Sequence, residues 1–255
     1  MFIFYNASCV AILLLPLYGN HPQATRDLKP APLGSTIIVI DPGHPSEVGL
    51  GARGKRVTEV RIAWAVAQDL RKLLERDGYS VILTKRSLMQ RVTNRRRAEI
   101  ANDVHAALMV RLHCDSEGGS GFAVYYPDKS ATVQGHTGPN ADVLARSKSC
   151  AQSFHRAFAK AMRAHLNDRG LYTDRATAIG SKQGALTGSV FSKVPVLLVE
   201  MVVLSDRRDE AFIEKPANQQ VVAMALLEGI KAAVPRRTAT DNSTHSRRYR
   251  PVRSK

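Results

Sequence analysis

Four residues whose side chains suit metal binding or proton transfer stand at the ends of predicted strands or at the start of a helix. His44 follows an apolar strand through a Pro-Gly turn, and His113 ends a second apolar strand. Glu200 lies near the end of the most apolar strand, and Glu59 begins the first long helix. Two imidazoles and one carboxylate are typical ligands of a catalytic zinc ion that keeps a position open for water. The second carboxylate would then act as a base.

Each of these residues also has a purely structural explanation when it is considered alone. His44 is equally well explained as a turn residue, and His113 as a core histidine. Glu59 stands at a helix start, where an acidic side chain is favourable for the helix dipole in any case. Glu200 is the hardest to explain in this way, because a carboxylate within "PVLLVEMVVL" is costly to bury unless it is paired or metal-bound. Spacing alone does not identify a zinc site, since the sequence has no compact two-histidine helix motif.

Apolar segments of strand length alternate along the chain with amphipathic helical patterns. The predicted strands are residues 36–41, 80–84, 106–113, 121–127 and 194–204. The first predicted helix begins at Glu59, and three more helices are predicted for residues 91–103, 140–168 and 218–234. This alternation predicts a single α/β domain with a mostly parallel, twisted sheet and helices on both of its faces. In open sheets of this kind, ligands bind beyond the carboxyl ends of the strands, so the four residues are expected at one rim.

The two ends of the chain differ in composition from this central part. Residues 1–20 contain an apolar stretch with a polar exit and are interpreted as a signal peptide, although no Lys or Arg precedes the apolar run. A wrongly assigned start and a membrane tether are the alternatives to export. Residues 21–34 are interpreted as a Pro-containing linker, 35–234 as the catalytic domain, and 235–255 as a basic disordered tail.

The formal net charge of +15 favours a polyanionic partner. The three candidates are a nucleic acid, an anionic membrane and a charged cell-wall polymer. The tail holds seven Arg or Lys and one Asp and so supplies +6 of this charge. The export signal, the low aromatic content of 6% and the lack of a recognisable nucleic-acid-binding module argue against nucleic acid. The run "RSLMQRVTNRRR" (residues 86–97) is interpreted as a solvated helix face, with contact to an anionic wall polymer as the second interpretation.

The other cysteines and histidines give no clear functional signal. Cys9 lies in the predicted signal peptide, and whether Cys114 and Cys150 pair cannot be deduced from the sequence. Three further histidines of the central region are interpreted as surface or packing residues; they are His136, His155 and His165.

Four segments, in order, resemble the zinc-dependent N-acetylmuramoyl-L-alanine amidases of the amidase type 3 family. They are "IDPGH", "TEVRIAWAVAQDLRKLLERDGYSVILTKR", "RRRAEIAND…ALMVRLHCDS" and "VPVLLVEMVVLSDRRDEAFI". The similarity extends from about residue 35 to 234, and "DRGLY" (168–172) also resembles the family's segment after the long helix. The resemblance implies about six strands, and an enzyme that hydrolyses the amide between N-acetylmuramic acid and L-alanine in peptidoglycan and releases stem peptides.

By motif position, the resemblance implies that His44, Glu59 and His113 bind one zinc ion per chain and that Glu200 is the catalytic glutamate. The implied partner is peptidoglycan, in the periplasm, the cell envelope or the extracellular space. The basic tail is expected to bind anionic envelope polymers, no nucleic acid is expected as a partner, and the chain is expected to be a monomer.

Some positions depart from the usual pattern of the family. Pro45 stands where the family usually has Gly. Cys114-Asp115 stands where Ala-Asn is frequent, and Val202-Val203 stands where Gly-Phe is usual. These positions concern the shape of the cleft, so they bear on substrate preference more than on chemistry. The alternatives are a zinc peptidase acting on another cell-wall amide, and a non-catalytic basic protein that binds wall or nucleic acid.

Overall fold

The computed structural model describes residues 35–117 and 119–236, which form α/β structure. The strands are β1 (Ile37–Pro42), β2 (Ser80–Leu83), β3 (Leu108–Asp115), β4 (Phe122–Tyr126), β5 (Ala131–Val133), β6 (His136–Gly138), β7 (Asp168–Thr173) and β8 (Val196–Val203). The helices are α1 (Glu59–Arg76), α2 (Asn94–Asp103), α3 (Ala141–Met162), α4 (Ala178–Gln183), α5 (Thr187–Val190), α6 (Arg207–Ile213) and α7 (Pro216–Ala233). Within this part of the chain, no helix combines the length and apolarity needed to cross a membrane.

The predicted signal peptide (1–20), the predicted linker (21–34) and residues 237–255 of the predicted tail lie outside the described residues. The predicted boundaries of these segments therefore stay predictions.

Six strands form one sheet in the order β2-β1-β3-β8-β4-β7. All neighbouring pairs are parallel except β4 and β8, which are antiparallel. The prediction of a mostly parallel sheet of about six strands is therefore confirmed. Because β4 and β7 run opposite to the other strands, their first residues lie at the rim where β1, β3 and β8 end.

The two faces of this sheet are covered to different extents. Alternate residues of β3 show this, since side chains of a strand point in turn to opposite faces. The residues that join the large core under α1, α3 and α7 are Leu108, Val110, Leu112 and Cys114. Met109 packs in a smaller cluster with Ala101 of α2 on the other face. Helices therefore cover both faces, as predicted, but the α2 face has the smaller apolar cover.

The structure differs from the sequence prediction after β4. The helix predicted for residues 140–168 ends at Met162, and β7, which sequence patterning alone did not predict, begins at Asp168. The polar segment before α3 forms the β5–β6 hairpin. Cys114 and Cys150 are both free thiols, so no disulfide joins them.

Helices α3 and α7 approach each other closely at Gly229. A Cβ atom on Gly229 would lie 2.7 Å from the ring of Phe154, which is fully buried. Phe154 in turn stacks on Phe158 with ring centroids 5.5 Å apart, so the ring has little room to move. The glycine therefore sets the distance between these two helices.

We expect Gly229→Ala to destabilise the fold although alanine is the better helix former. Overpacking against Phe154 should lower the free energy of unfolding by about 1–3 kcal/mol, as measured by chemical denaturation. Gln220→Ala on an exposed position of the same helix is the control and should change it little. A Gly229→Ala protein more stable than the parent would show that the helices separate without cost.

Candidate metal centre

Ligand atoms of His44, Glu59 and His113 converge at the rim of the sheet, all within 4.8 Å of one another. The Nδ1 atom of His113 lies 2.8 Å from Oε1 of Glu59, and Nε2 of His44 lies 3.5 Å from the same oxygen. Glu59 is only 3% exposed, so this is no ordinary cluster of surface acids. The structure thus brings together the three residues predicted as ligands, and their binding of a metal stays a prediction.

A tight turn after β1 sets the position of the His44 imidazole. His44 has a φ of 52°, a left-handed conformation that is uncommon for residues other than glycine. Lys85 Nζ donates a hydrogen bond to the carbonyl oxygen of His44, and Gly43 N donates to Leu112 O at 2.8 Å. The His44 Nδ1 atom lies 3.1 Å from the carbonyl oxygen of Gly49, and donation there leaves Nε2 free to bind a metal.

The groups around Glu59 favour its charged form. Its Oε2 accepts a hydrogen bond from Ala52 N at 2.6 Å, and its Oε1 accepts one from Cys114 N at 3.2 Å. Burial acts to raise the pKa of Glu59, but the hydrogen bond from His113, the charges that His113 and His44 carry when protonated, and the hydrogen bond from Ala52 lower it below its usual value. The carboxylate is therefore in the form that binds a cation.

The donor set fits a zinc ion. Burial lowers the pKa of His113, with the hydrogen bond and charge of Glu59 acting in the opposite direction, so the imidazole favours the neutral form that binds metals. Two imidazoles and one carboxylate are the protein ligands of a common class of catalytic zinc site. His44, Glu59 and His113 supply that set from three separate elements.

Two glycines allow these side chains to approach the main chain. Gly51 has a φ of 81°, and a Cβ atom there would lie 2.3 Å from Oε2 of Glu59 and 2.5 Å from Cδ2 of His44. A Cβ atom on Gly43 would lie 2.7 Å from Cε1 of His113. Gly51 was not among the predicted site residues. The glycine-rich run "GLGARGK" just before the first long helix is the sequence feature that indicates a tight loop there.

Glu200 faces the cleft from the strand next to that of His113. Its register partners are His113 on β3 and Ala123 on β4. Its Oε2 is buried and has no hydrogen-bond partner within residues 35–117 and 119–236. Burial raises the pKa of Glu200 well above its usual value, and the negative charges of Glu59 and Asp115 act in the same direction. Such a carboxyl group is suited to take up a proton and return it.

A buried ion cluster fixes the turn that carries His44. The carboxylate of Asp41 is fully buried and accepts hydrogen bonds from Arg97 on one oxygen and Arg111 on the other. Burial acts to raise the pKa of Asp41, but the charges of the two arginines hold it well below its usual range. Arg97 also donates to three main-chain carbonyl oxygens around the turn, those of Pro42, Pro45 and Val92.

Only residues 94–97 of the run interpreted as a solvated helix face (86–97) lie on a helix, because α2 begins at Asn94. The interpretation is also wrong for Arg97. Its neighbours Arg95 and Arg96 have side chains that are 55% and 33% exposed, and both pair with Glu99. Arg97 is 1% exposed and reaches Asp41. Three consecutive arginines look alike in the sequence, and only their position around α2 separates the buried one from the others.

His44, His113 and Glu200 line one cleft with a volume of about 480 Å³. Asp115 and Arg169 line the same cleft, and neither was predicted as a functional residue. Tyr125, Asn94 and Arg111 are further lining residues.

The other histidines lie away from this cluster. His136 on β6 stacks on Phe191 with ring centroids 4.8 Å apart. His155 Nε2 lies 2.9 Å from Asp168 Oδ1. His165 follows the end of α3 rather than lying on the helix as predicted. Within the described part of the chain, no other group of histidines, cysteines and carboxylates could hold a metal ion.

An α/β sheet whose rim carries a His-Glu-His cluster beside a second buried carboxylate has the features of a zinc hydrolase. The family model described as N-acetylmuramoyl-L-alanine amidase matches residues 38–232, and the chain belongs to this family. The family recognised from the sequence motifs is therefore confirmed.

Known relatives resemble the chain over the same region. The probable cell wall amidase LytH of Staphylococcus aureus is 26% identical over 207 residues, which cover 78% of this chain and 59% of that protein. The chain thus matches less than two thirds of the length of this curated relative.

Solved structures share the fold. The amidase AmiC2 of Nostoc punctiforme aligns with a TM-score of 0.61 and 23% identity, over 77% of this chain and 97% of that one. The amidase Ami1 of Mycobacterium smegmatis aligns with a TM-score of 0.63 and 20% identity, over 78% of this chain and 96% of that one. At these identities, the likeness supports the fold alone.

We expect Arg97→Met to lower the free energy of unfolding by about 3–5 kcal/mol, because it leaves the Asp41 carboxylate buried with one cation fewer. Chemical denaturation of the purified protein measures this change. Arg96→Met, which removes a partly exposed charge from the same helix, should cost less than about 1 kcal/mol. Equal effects of the two substitutions would contradict a special role for the buried cluster.

Proposed function

We propose that this chain is a zinc-dependent amidase that hydrolyses the bond between N-acetylmuramic acid and L-alanine in peptidoglycan and releases stem peptides. The observation that carries the proposal is the convergence of His44, Glu59 and His113 beside the buried carboxyl group of Glu200. Membership of the amidase family adds the substrate class to this geometry.

His44, Glu59 and His113 would hold the zinc ion at the floor of the cleft. When bound there, zinc acts as a Lewis acid that makes water more acidic and polarises an amide carbonyl group. The hydrogen bonds from Ala52 and Cys114 to Glu59 keep this ligand oriented toward the two imidazoles. The chain thus presents its ligands in place before the substrate arrives.

Glu200 would move the protons of the reaction. As general base, its carboxylate takes a proton from the water that attacks the lactyl carbonyl carbon. The amide C–N bond then breaks, and Glu200 returns the proton to the departing amine of L-alanine. Within the described residues, Oε2 of Glu200 has no hydrogen-bond partner that would compete with this water for the oxygen.

Export belongs to the same proposal, because peptidoglycan lies outside the cytoplasm. Residues 1–20 would direct the chain to the periplasm, the cell envelope or the exterior, and the basic tail would hold it on anionic envelope polymers. The chain would act as a monomer.

Digestion of purified peptidoglycan, with products identified by mass, tests the bond that is cleaved. We expect free stem peptides that begin with L-alanine, and we expect a zinc chelator to abolish their release. Peptides that begin at another residue would favour a zinc peptidase instead. Retention on the wall without any release would favour a non-catalytic binding protein.

Glu200→Gln should retain zinc but lower turnover by about a hundredfold to ten-thousandfold, the usual contribution of a general acid–base group. His113→Ala should lose both zinc and activity, because it removes a ligand. Metal analysis of each purified variant, together with its rate on peptidoglycan, measures the two effects separately. Glu228→Gln at an exposed position is the matched control, and an active Glu200→Gln protein would overturn the assignment.

A further inference from the structure

Arg169 lies in the cleft, at the start of β7. Its Nη2 donates a hydrogen bond to Oδ2 of Asp115 at 2.8 Å and lies 3.5 Å from the hydroxyl group of Tyr125. The other oxygen of Asp115 accepts from the amides of Ser116 and Glu117. Asp115 is therefore fixed by the main chain and in turn fixes one edge of the guanidinium group.

The other terminal nitrogen of this guanidinium group, Nη1, has no hydrogen-bond partner among the residues that the structure describes. This Nη1 atom is also buried. A buried, charged donor without an acceptor is unfavourable, so an acceptor from outside the chain would stabilise it. The side chain as a whole is 13% exposed, so part of it is open to a ligand in the cleft.

Arg169 also separates two cavities. Together with Tyr125 and Ala176, it lines both the main cleft and an adjoining cavity of about 290 Å³. Tyr172 lines only this smaller cavity, with its ring centroid 5.7 Å from that of Tyr125. A ligand that extends from the reacting atoms in this direction meets one cation and two neighbouring aromatic rings.

We propose that Arg169 binds a free carboxylate on the peptide side of the scissile amide and so makes the enzyme selective for acidic stem peptides. This inference rests on the proposed function for the identity of the substrate. Arginine suits the role because its planar fork of N–H groups matches a carboxylate, and a bond between two charged groups is stronger than a neutral one.

The peptide is the side of the substrate that brings such a group. The lactyl carboxyl group of the sugar is already consumed in the amide bond, whereas the residues after L-alanine can carry free carboxylates. Asp115 is itself negative, so it offsets part of the attraction while it holds the guanidinium group in place. The site should therefore distinguish a carboxylate from a carboxamide without binding its product too tightly to release it.

Binding of a product-like dipeptide tests this inference without relying on turnover. The probes are L-alanyl-D-glutamate with its γ-carboxyl group blocked as a methylamide and its α-carboxylate free, and the same γ-blocked peptide with an α-carboxamide. Calorimetric titration of the full chain in the presence of a chelator prevents the carboxylate from binding a metal instead. We expect the carboxylate to bind about ten- to a hundredfold more tightly, the effect of one charge-assisted hydrogen-bonded pair.

Variants then assign the preference to Arg169. Arg169→Met should abolish the preference for the carboxylate. Arg169→Lys keeps the positive charge and should retain only part of this preference, and it serves as the test if Arg169→Met does not fold. Arg175→Met is the matched control, because Arg175 pairs with Asp128 and lines neither cavity. A preference that survives in Arg169→Met, or equal binding of both peptides by the parent, would overturn the inference.

The same protein, loaded with zinc, separates this inference from the proposed function. If the chain binds the carboxylate through Arg169 but releases no stem peptides, the proposed function fails while the binding site stands. If the chain releases stem peptides with the same KM from a substrate with a free carboxylate and from one with a carboxamide, the proposed function stands and the inference fails. A higher KM in Arg169→Met on the acidic substrate, with kcat unchanged, supports both.

Discussion

The two-residue alternation of side chains along the strands determines where chemistry can occur in this fold. On β3 and β8, one set of alternate residues fills the large core under α1, α3 and α7. The other set includes His113 and Glu200, which pair in register on adjacent strands and face the cleft. A shift of one residue in either strand would place its carboxyl or imidazole group in the apolar core instead. Register and function are thus fixed by the same packing.

The face that carries the site contains a buried ion cluster, whereas the other face carries the large apolar core. Asp41 lies between Arg97 and Arg111, and each partner satisfies one carboxylate oxygen. Such a cluster adds little net stability compared with apolar side chains, but losing one member is costly. Its hydrogen bonds reach the main chain on both sides of His44 and so restrain the turn that carries this residue. An apolar cluster has no donors with which to make these bonds.

The sequence predicted the parts of this structure that depend on local pattern. The apolar strands, the helix that begins at Glu59 and the convergence of His44 and His113 at one rim all follow from periodicity and from the geometry of parallel sheets. Tertiary context decided the rest. The buried position of Arg97 depends on the phase of a short helix whose buried apolar residues are only the two small side chains Ala98 and Ala101. β7 contains Gly170 and polar residues, and it becomes a strand because β4 offers it an edge with which to pair.

The reversal of two strands explains why the cleft has two chemically different halves. In a fully parallel sheet, only residues near strand ends reach the carboxyl rim, and here His44, His113 and Glu200 lie near such ends. Because β4 and β7 run in the opposite direction, residues from their beginnings reach the same rim. Arg169 is the second residue of β7, and it meets Asp115 from the end of β3 across the intervening strands. A search confined to strand ends therefore finds His44, His113 and Glu200 but misses Arg169. The direction of each strand has to be known before this second half of the cleft can be identified.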